Sequence, residues 1–293
     1  MRFWQAAFAC LACYPTVATT MPVQLPATPL PAQSRLPRGA RRTASLAAGL
    51  LLSATLALSA PAAFGADLVV SAAASLTNAF KSLAESYERA HPQTKVVLNF
   101  GASDVLMQQI VNGAPADVFA SADQDAMNKA VTERVVQPAS RRDFAANQLA
   151  LILPADSKLE VGKLQDLGRP EFKRVAFGNP ASVPVGRYTK GALEAAGVWD
   201  AVSAKGVMAQ NVRQSLDYVA RGEVDAGFVF ATDAAIMPEK VKVALRVATR
   251  QPVTYPIAVT ANSKQPAEAA AFLSYVLSPE GQAVLAKYGF LKP

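Results

Sequence analysis

From residue 67 onward the chain alternates short apolar runs with longer amphipathic stretches, and this alternation restricts the folds open to it. After the first run, Leu76, Phe80, Leu83 and Tyr87 recur at the spacing of one helix face. A chain in which strands alternate with helices usually forms parallel sheets covered by helices. Strands are predicted at 68–70, 95–100, 118–120, 149–153, 175–177, 207–209, 226–230 and 255–260. Helices are predicted between them, near 187–197 and 212–221 among others, and at 266–276 and 279–287 at the end of the chain.

The alternating units form two groups, which predicts an α/β protein of two lobes, each a mostly parallel sheet flanked by helices. We assign residues 67–148 and 253–293 to lobe 1 and residues 149–252 to lobe 2, with the two closing helices packed on lobe 1. Ligands of open parallel sheets bind beyond the carboxyl ends of the strands. Two facing lobes would therefore enclose a binding cleft at these strand ends.

Residues 1–66 have the layout of a secretory signal segment that is removed on export. A basic cluster at 35–42 precedes an uncharged, largely apolar stretch at 43–66, and residues 60–62 read Ala-Pro-Ala, which fits the small-residue rule for cleavage. The alternative is a membrane anchor, for which the stretch is just long enough, but it is rich in Ala, Ser and Gly and is interrupted by proline. We expect a periplasmic protein whose mature chain starts between residues 63 and 67.

The net charge of +7 comes largely from this signal segment, which holds five of the 29 basic residues and none of the 22 acidic ones. The rest of the chain is close to neutral. A groove that binds nucleic acid by neutralising phosphates is therefore not expected.

Cysteine and histidine are too few in the mature chain for metal binding or nucleophilic catalysis. Both cysteines, Cys10 and Cys13, lie in the signal segment, and His91 is the only histidine. One histidine cannot form a His/Cys metal site, so no protein-bound metal and no cofactor are expected. A Ser-His-Asp triad would have to use His91, and no Gly-x-Ser-x-Gly motif supplies the nucleophile. We therefore expect a binding protein and not an enzyme.

Serines follow the first two predicted strands at similar positions. The first strand leads into A-A-A-S-L-T-N and the second into F-G-A-S-D, which puts Ser75 and Ser103 at predicted N-caps of the next helices. In the second group, the segments at 178–188 and 210–213 open two more helices. Helix N-termini that face one cleft offer unpaired N–H groups and positive dipole ends to a small anion. Capping explains either serine alone but explains the repeated arrangement less well.

Several segments resemble the periplasmic molybdate-binding proteins of bacterial ABC importers, and the resemblance extends over essentially all of residues 67–293. These segments are A-A-A-S-L-T-N-A at 72–79, G-A-P-A-D-V-F-A-S-A-D at 113–123, V-P-V-G-R-Y at 183–188 and K-Y-G-F at 287–290. The resemblance implies a type II periplasmic-binding-protein fold, in which two lobes joined by two crossing segments close over one tetrahedral oxyanion. It implies a receptor for molybdate and tungstate that delivers the anion to an ABC importer permease in the inner membrane. We expect this receptor to be a monomer.

Position by position, the resemblance puts the oxyanion contacts on the hydroxyls and amides of Ser75 and Ser103 and on the backbone N–H groups of Val185 and Val212. The last contact of the family is a tyrosine hydroxyl, and Phe230 stands at that position, in G-F-V-F-A-T-D. A phenyl ring donates no hydrogen bond. This contact is therefore expected to be lost or replaced.

Two charged residues near the predicted site bear on which anion is bound. Asp104 stands after Ser103, where the family has a small neutral residue; it suits the first turn of a helix, but a carboxylate turned into the cleft would favour a protonated oxyanion. Arg187 is interpreted as a solvated helix residue.

Two alternatives to a molybdate receptor remain open. One is a receptor for another tetrahedral oxyanion, such as phosphate or sulfate, and the other is an exported hydrolase or transferase that uses the same cleft.

Overall fold

The computed structural model describes residues 67–293, and the predicted signal segment lies outside this range. The strands are β1 Leu68–Ala73, β2 Val96–Gly101, β3 Val118–Ala120, β4 Arg142–Asn147, β5 Leu149–Pro154, β6 Val175–Gly178, β7 Gly206–Ala209, β8 Ala226–Phe230, β9 Val241–Val247 and β10 Val253–Val259. The helices are α1 Thr77–Ala90, α2 Ser103–Val111, α3 Gln124–Thr132, α4 Pro184–Ala195, α5 Trp199–Ser203, α6 Val212–Ala220, α7 Ala231–Ala234, α8 Pro266–Leu277 and α9 Pro279–Lys287. Within residues 67–293, no helix has the length and apolar character needed to span a bilayer.

The strands form two five-stranded sheets, each flanked by helices. The first has the order β2-β1-β3-β10-β4 and the second the order β7-β6-β8-β5-β9. In each sheet two strand pairs are parallel and two are antiparallel. The predicted α/β fold of two lobes, each a sheet flanked by helices, is confirmed, and each sheet is mixed rather than mostly parallel. Each antiparallel pair contains β10 or β5. The chain passes from the first sheet into the second at β5 and returns to the first sheet at β10.

Two strands, β4 and β9, were not predicted. Both lie at the edge of a sheet, β9 beside β5 and β4 beside β10, and the outer side of β4 carries one isolated bridge, between Ala146 and Leu291. The β4 segment R-D-F-A-A-N holds only three apolar residues between polar ends, and β9 mixes exposed with buried positions. An edge strand needs little apolar surface because much of it faces solvent, so its composition gives only a weak signal.

The closing helices α8 and α9 contact α1, which covers the first sheet, and aromatic side chains make much of this contact. Phe272 of α8 makes edge contacts with Phe80 and Tyr87, at ring-centroid distances of 6.3 and 5.2 Å. The hydroxyls of Tyr288, after α9, and Ser82 of α1 are 2.7 Å apart. The chain thus returns to its first sheet after crossing to the second at Gln148 and back at residues 248–252. We call the part built on the first sheet lobe 1 and the part built on the second lobe 2.

Candidate anion-binding site

A small pocket lies between the two lobes, where the parallel strands end. Its cavity volume is about 10 Å³, far below the 300–1,000 Å³ typical of sites for organic ligands. Its lining comes from the segments that follow β1, β2, β3, β6 and β7 and from the last residue of β8. The five residues predicted to contact the anion, Ser75, Ser103, Val185, Val212 and Phe230, all line this pocket.

Neither serine caps a helix, so the prediction that they are N-caps is wrong. Ser75 lies in a 3₁₀ turn at 74–76, and its Oγ is 3.1 Å from the hydroxyl of Tyr255. Ser103 is the first residue of α2, and its Oγ accepts the backbone N–H of Ala122 at 3.0 Å. Both residues are buried. Capping occupies neither hydroxyl. Ser103 accepts through its oxygen and keeps its proton for a group in the pocket, whereas either oxygen of the Ser75–Tyr255 contact could be the donor.

The N-termini of α4 and α6 contribute backbone donors from lobe 2. Val185 is the second residue of α4 and Val212 is the first residue of α6. Their N–H groups have no acceptor within the helix, because the first N–H groups of any helix lack an intrahelical carbonyl partner. Gly186 lets α4 begin this close to the sheet, because a Cβ at that position would overlap the Gly178 carbonyl of β6. The dipoles of these helices, together with that of α2, favour negative charge in the pocket.

Phe230 ends β8 and presents an almost completely buried ring to the pocket. The ring packs edge-on between Tyr188 and Tyr255, at centroid distances of 6.1 and 5.8 Å. It closes one wall of the site without donating a hydrogen bond.

The pocket lining contains no charged side chain. The Asp104 carboxylate does not enter the pocket, because it bonds Lys129 Nζ at 2.7 Å and Arg187 Nη2 at 2.6 Å. Asp104 lies in the first turn of α2, as expected, and the alternative of a carboxylate turned into the cleft is not what the structure shows. A pocket lined by hydroxyls, backbone N–H groups and apolar side chains suits an anion whose charge is met by dipoles.

Arg187 is not the solvated helix residue that we expected. Its side chain is 19% exposed, and it reaches from α4 in lobe 2 to two carboxylates of lobe 1, those of Asp104 and Asp123. The Nε donates to Asp123 at 2.7 Å. Burial alone would lower the pKa of Arg187, but the two carboxylates raise it, and burial raises the pKa of Asp123. This ion-pair cluster joins the lobes beside the pocket.

Arg213 of α6 forms a second connection between the lobes, which the sequence analysis missed. Its guanidinium donates to Asp233 in lobe 2 at 2.6 Å and crosses to Asn78 Oδ1 at 2.8 Å and the Ser75 carbonyl at 3.2 Å in lobe 1. In the sequence, only its position directly after Val212 indicated that it lies near the site. Its partners in lobe 1 are 135 and 138 residues away in sequence, so no local pattern predicts these bonds.

Comparison with known proteins agrees with this geometry. The family model described as bacterial extracellular solute-binding protein matches residues 68–291. The chain belongs to this family. The chain is 36% identical to the molybdate-binding protein ModA of Escherichia coli, over 86% of this chain and 98% of that protein, and 33% identical to ModA of Haemophilus influenzae, over 78% and 91%. The solved structure of the periplasmic molybdate-binding protein of Azotobacter vinelandii superposes with a TM-score of 0.68 at 26% identity, covering 77% of this chain and 99% of that one.

In this solute-binding protein, the geometry suits the binding of a small anion. The two pocket serines have no histidine, lysine or carboxylate among the residues that line the pocket. A serine nucleophile needs such a base to remove its proton. The arrangement can hold an anion between two lobes and release it when they separate.

Proposed function

We propose that the protein is an exported receptor that binds molybdate, and also tungstate, in the pocket between its lobes and delivers it to an ABC importer permease in the inner membrane. The observation that carries this proposal is the pocket itself, which is small, has no cationic side chain and is lined by hydroxyls and helix N-termini. The signal-like composition of residues 1–66 supports a periplasmic location. Relatives named as molybdate-binding proteins support the choice of anion.

The expected donors are numerous enough for tight binding. Two serine hydroxyls, the amides of the same serines and the N–H groups of Val185 and Val212 make six. Hydrogen bonds to a charged acceptor contribute roughly 1.5–3 kcal/mol each, or roughly 9–18 kcal/mol gross for the set of six. After the costs of ordering and closure, a sub-micromolar dissociation constant is expected.

Anion size separates molybdate from sulfate, the smaller tetrahedral anion. Donors placed for the larger anion would lie too far from the oxygens of sulfate, and hydrogen bonds weaken steeply beyond their normal length. Another tetrahedral oxyanion, phosphate or sulfate, remains the alternative within this class because Phe230 removes the family's tyrosine hydroxyl.

Calorimetry and native mass spectrometry with molybdate, tungstate, sulfate and phosphate test the proposal. We expect sub-micromolar binding of molybdate and tungstate, with one anion per protein molecule and a raised melting temperature. Sulfate should bind much more weakly. Equal affinity for molybdate and sulfate would overturn the molybdate assignment. Turnover of simple esters or phosphoesters by the purified protein would instead support the hydrolase alternative.

A further inference from the structure

The hydroxyl of Tyr255 contacts the pocket serine Ser75. Tyr255 lies in β10 and is fully buried, and its hydroxyl is 3.1 Å from Ser75 Oγ. Its other hydrogen-bond partner within residues 67–293 is Asn147, whose Nδ2 is 3.2 Å away. Tyr255 does not line the pocket. Its hydroxyl can therefore act on a bound anion only through Ser75, although its ring packs against Phe230 in the pocket wall.

Asn147 determines which way the hydrogen bonds run. This residue ends β4, directly before the crossing to lobe 2. Its Oδ1 accepts the backbone N–H of Gln148 at 2.8 Å, which identifies the other end of the amide as the NH₂ group. That group donates to Thr232 Oγ1 at 2.9 Å and to the Tyr255 hydroxyl. The Tyr255 oxygen is therefore an acceptor towards Asn147.

The proton of Tyr255 then has one acceptor within the described part of the chain, Ser75 Oγ. If Ser75 donated to Tyr255 instead, the buried tyrosine proton would be left unpaired, and an unpaired buried donor carries the full cost of its desolvation. Burial, and to a smaller degree the Asp233 carboxylate, raises the pKa of Tyr255 well above its ordinary value. The hydroxyl thus keeps its proton at neutral pH and donates it to Ser75.

We propose that Tyr255 is a positioning residue that directs the Ser75 hydroxyl to donate its proton to the bound anion. The chain of donors runs from Asn147 to Tyr255, to Ser75 and into the pocket. Ser103 is oriented in a different way, by the backbone N–H of Ala122, which no side-chain substitution removes. This inference rests on the proposed function, because it assumes that the pocket holds an oxyanion.

The directed hydroxyl also affects selectivity. A serine oxygen that accepts from tyrosine has one of its two lone pairs left for a proton on the ligand, whereas without that bond it would have both. The site would therefore favour an oxyanion without protons, such as molybdate, over inorganic phosphate, which keeps at least one proton at neutral pH. Without the tyrosine hydroxyl, Ser75 could accept as well as donate, and this preference should weaken.

A double-mutant cycle tests the connection between Tyr255 and Ser75, with molybdate affinity measured by calorimetry. Tyr255→Phe should weaken binding by about tenfold, as expected for the loss of about 1.4 kcal/mol. In the Ser75→Ala background the same change should cost less than about twofold, whereas in the Ser103→Ala background it should again cost about tenfold. The ratio of molybdate affinity to phosphate affinity should also fall in Tyr255→Phe.

Tyr188→Phe is the matched control. Its ring also packs on Phe230, but its hydroxyl points to the Pro252 carbonyl, 3.5 Å away, and not to Ser75. This variant should keep wild-type affinity and selectivity. Melting temperatures without ligand show that each variant is folded at the temperature of the titration.

The outcomes separate this inference from the proposed function. If the wild type binds molybdate but Tyr255→Phe costs the same factor in the Ser75→Ala and Ser103→Ala backgrounds, the positioning role is overturned and the receptor function stands. An unchanged affinity and an unchanged anion ratio in Tyr255→Phe would also overturn it. A wild type that binds none of the oxyanions would overturn the proposed function and this inference with it.

Discussion

At the scale of single residues, each pocket serine receives a hydrogen bond that leaves its own proton available. The backbone N–H of Ala122 supplies that bond to Ser103, and the hydroxyl of Tyr255 supplies it to Ser75. Serine is common at helix N-caps, so a capping role was the ordinary interpretation of both. The structure excludes it, because neither side chain bonds the first turn of the helix that follows.

The phenylalanine at position 230, where the family has a tyrosine, leads to a prediction about molybdate affinity. If no other group takes the place of the family's tyrosine hydroxyl, an oxygen of the bound anion lacks a donor on this wall. Phe230→Tyr should then tighten molybdate binding by up to about 1.5–3 kcal/mol, the value of a hydrogen bond to a charged acceptor. Titration calorimetry measures the change, and the melting temperature without ligand controls for altered packing of the ring. Weaker binding would show that the pocket has no room for the added oxygen.

At the scale of elements, α4 and α6 have the same two features. Each places a first-turn valine at the pocket, and each carries an arginine one or two residues later that bonds lobe 1. Arg187 bonds carboxylates of lobe 1, and Arg213 bonds an amide and a carbonyl. The position of α4 and α6 is therefore linked to lobe closure. The helices that offer N–H groups to the anion are also hydrogen-bonded to lobe 1.

Removal of one cross-lobe arginine should lower affinity by destabilising the closed form. Arg187→Ala breaks the bonds to Asp104 and Asp123 and leaves the two carboxylates without their shared counter-charge. We expect molybdate binding to weaken by about 1–3 kcal/mol, since hydrogen bonds to charged groups contribute on that order. Calorimetry gives the affinity, and small-angle scattering with saturating ligand gives the radius of gyration, which should exceed that of the wild type.

Lys190→Ala is the control on the same helix, because Lys190 is partly exposed and contacts only lobe 2, pairing with Glu194 of α4 and lying over the ring of Trp199. It should change affinity by less than about 0.5 kcal/mol. If Arg187→Ala bound molybdate as tightly as Lys190→Ala does and stayed as compact, the ion-pair cluster would have no part in closure.

At the scale of the whole molecule, a buried carboxylate links stability to pH. Burial raises the pKa of Asp233 from 3.8 to about 6, although Arg213 acts in the opposite direction. Between about pH 4 and pH 6 the folded protein keeps a proton that the unfolded chain has released. The contribution of Asp233 to stability is therefore greatest below pH 4 and is lost as the pH rises through 6.

Asp233→Asn removes this titration. The variant should gain stability relative to the wild type as the pH rises from 4 to 7, by about 3 kcal/mol, which corresponds to the difference between the two pKa values. Urea unfolding at several pH values measures the free energies. Asp166→Asn is the contrast, since backbone N–H groups of Gly162 and Lys163 lower the pKa of that exposed carboxyl and its effect has the opposite sign. A constant difference between Asp233→Asn and the wild type would contradict the prediction.

The sequence by itself determined which segments meet at the pocket and how most of the chain folds locally. Apolar runs mark eight of the ten strands of residues 67–293, and the segments after them carry the residues that line the site. These features depend on residues a few positions apart in sequence. The spacing of apolar residues and the composition of each segment therefore predict them directly. The edge strands β4 and β9 were missed because each mixes buried with exposed positions and has no long apolar run.

Only the tertiary structure decided what the polar side chains near the site do. Ser75 meets Tyr255 across 180 residues of sequence, and Arg187 meets Asp123 and Asp104 across 64 and 83. A hydroxyl, a guanidinium or a carboxylate takes its role from the partner that desolvation forces it to find. That partner belongs to another element, so the direction of the Ser75 hydroxyl and the cross-lobe bonds of the arginines follow from packing and not from local pattern.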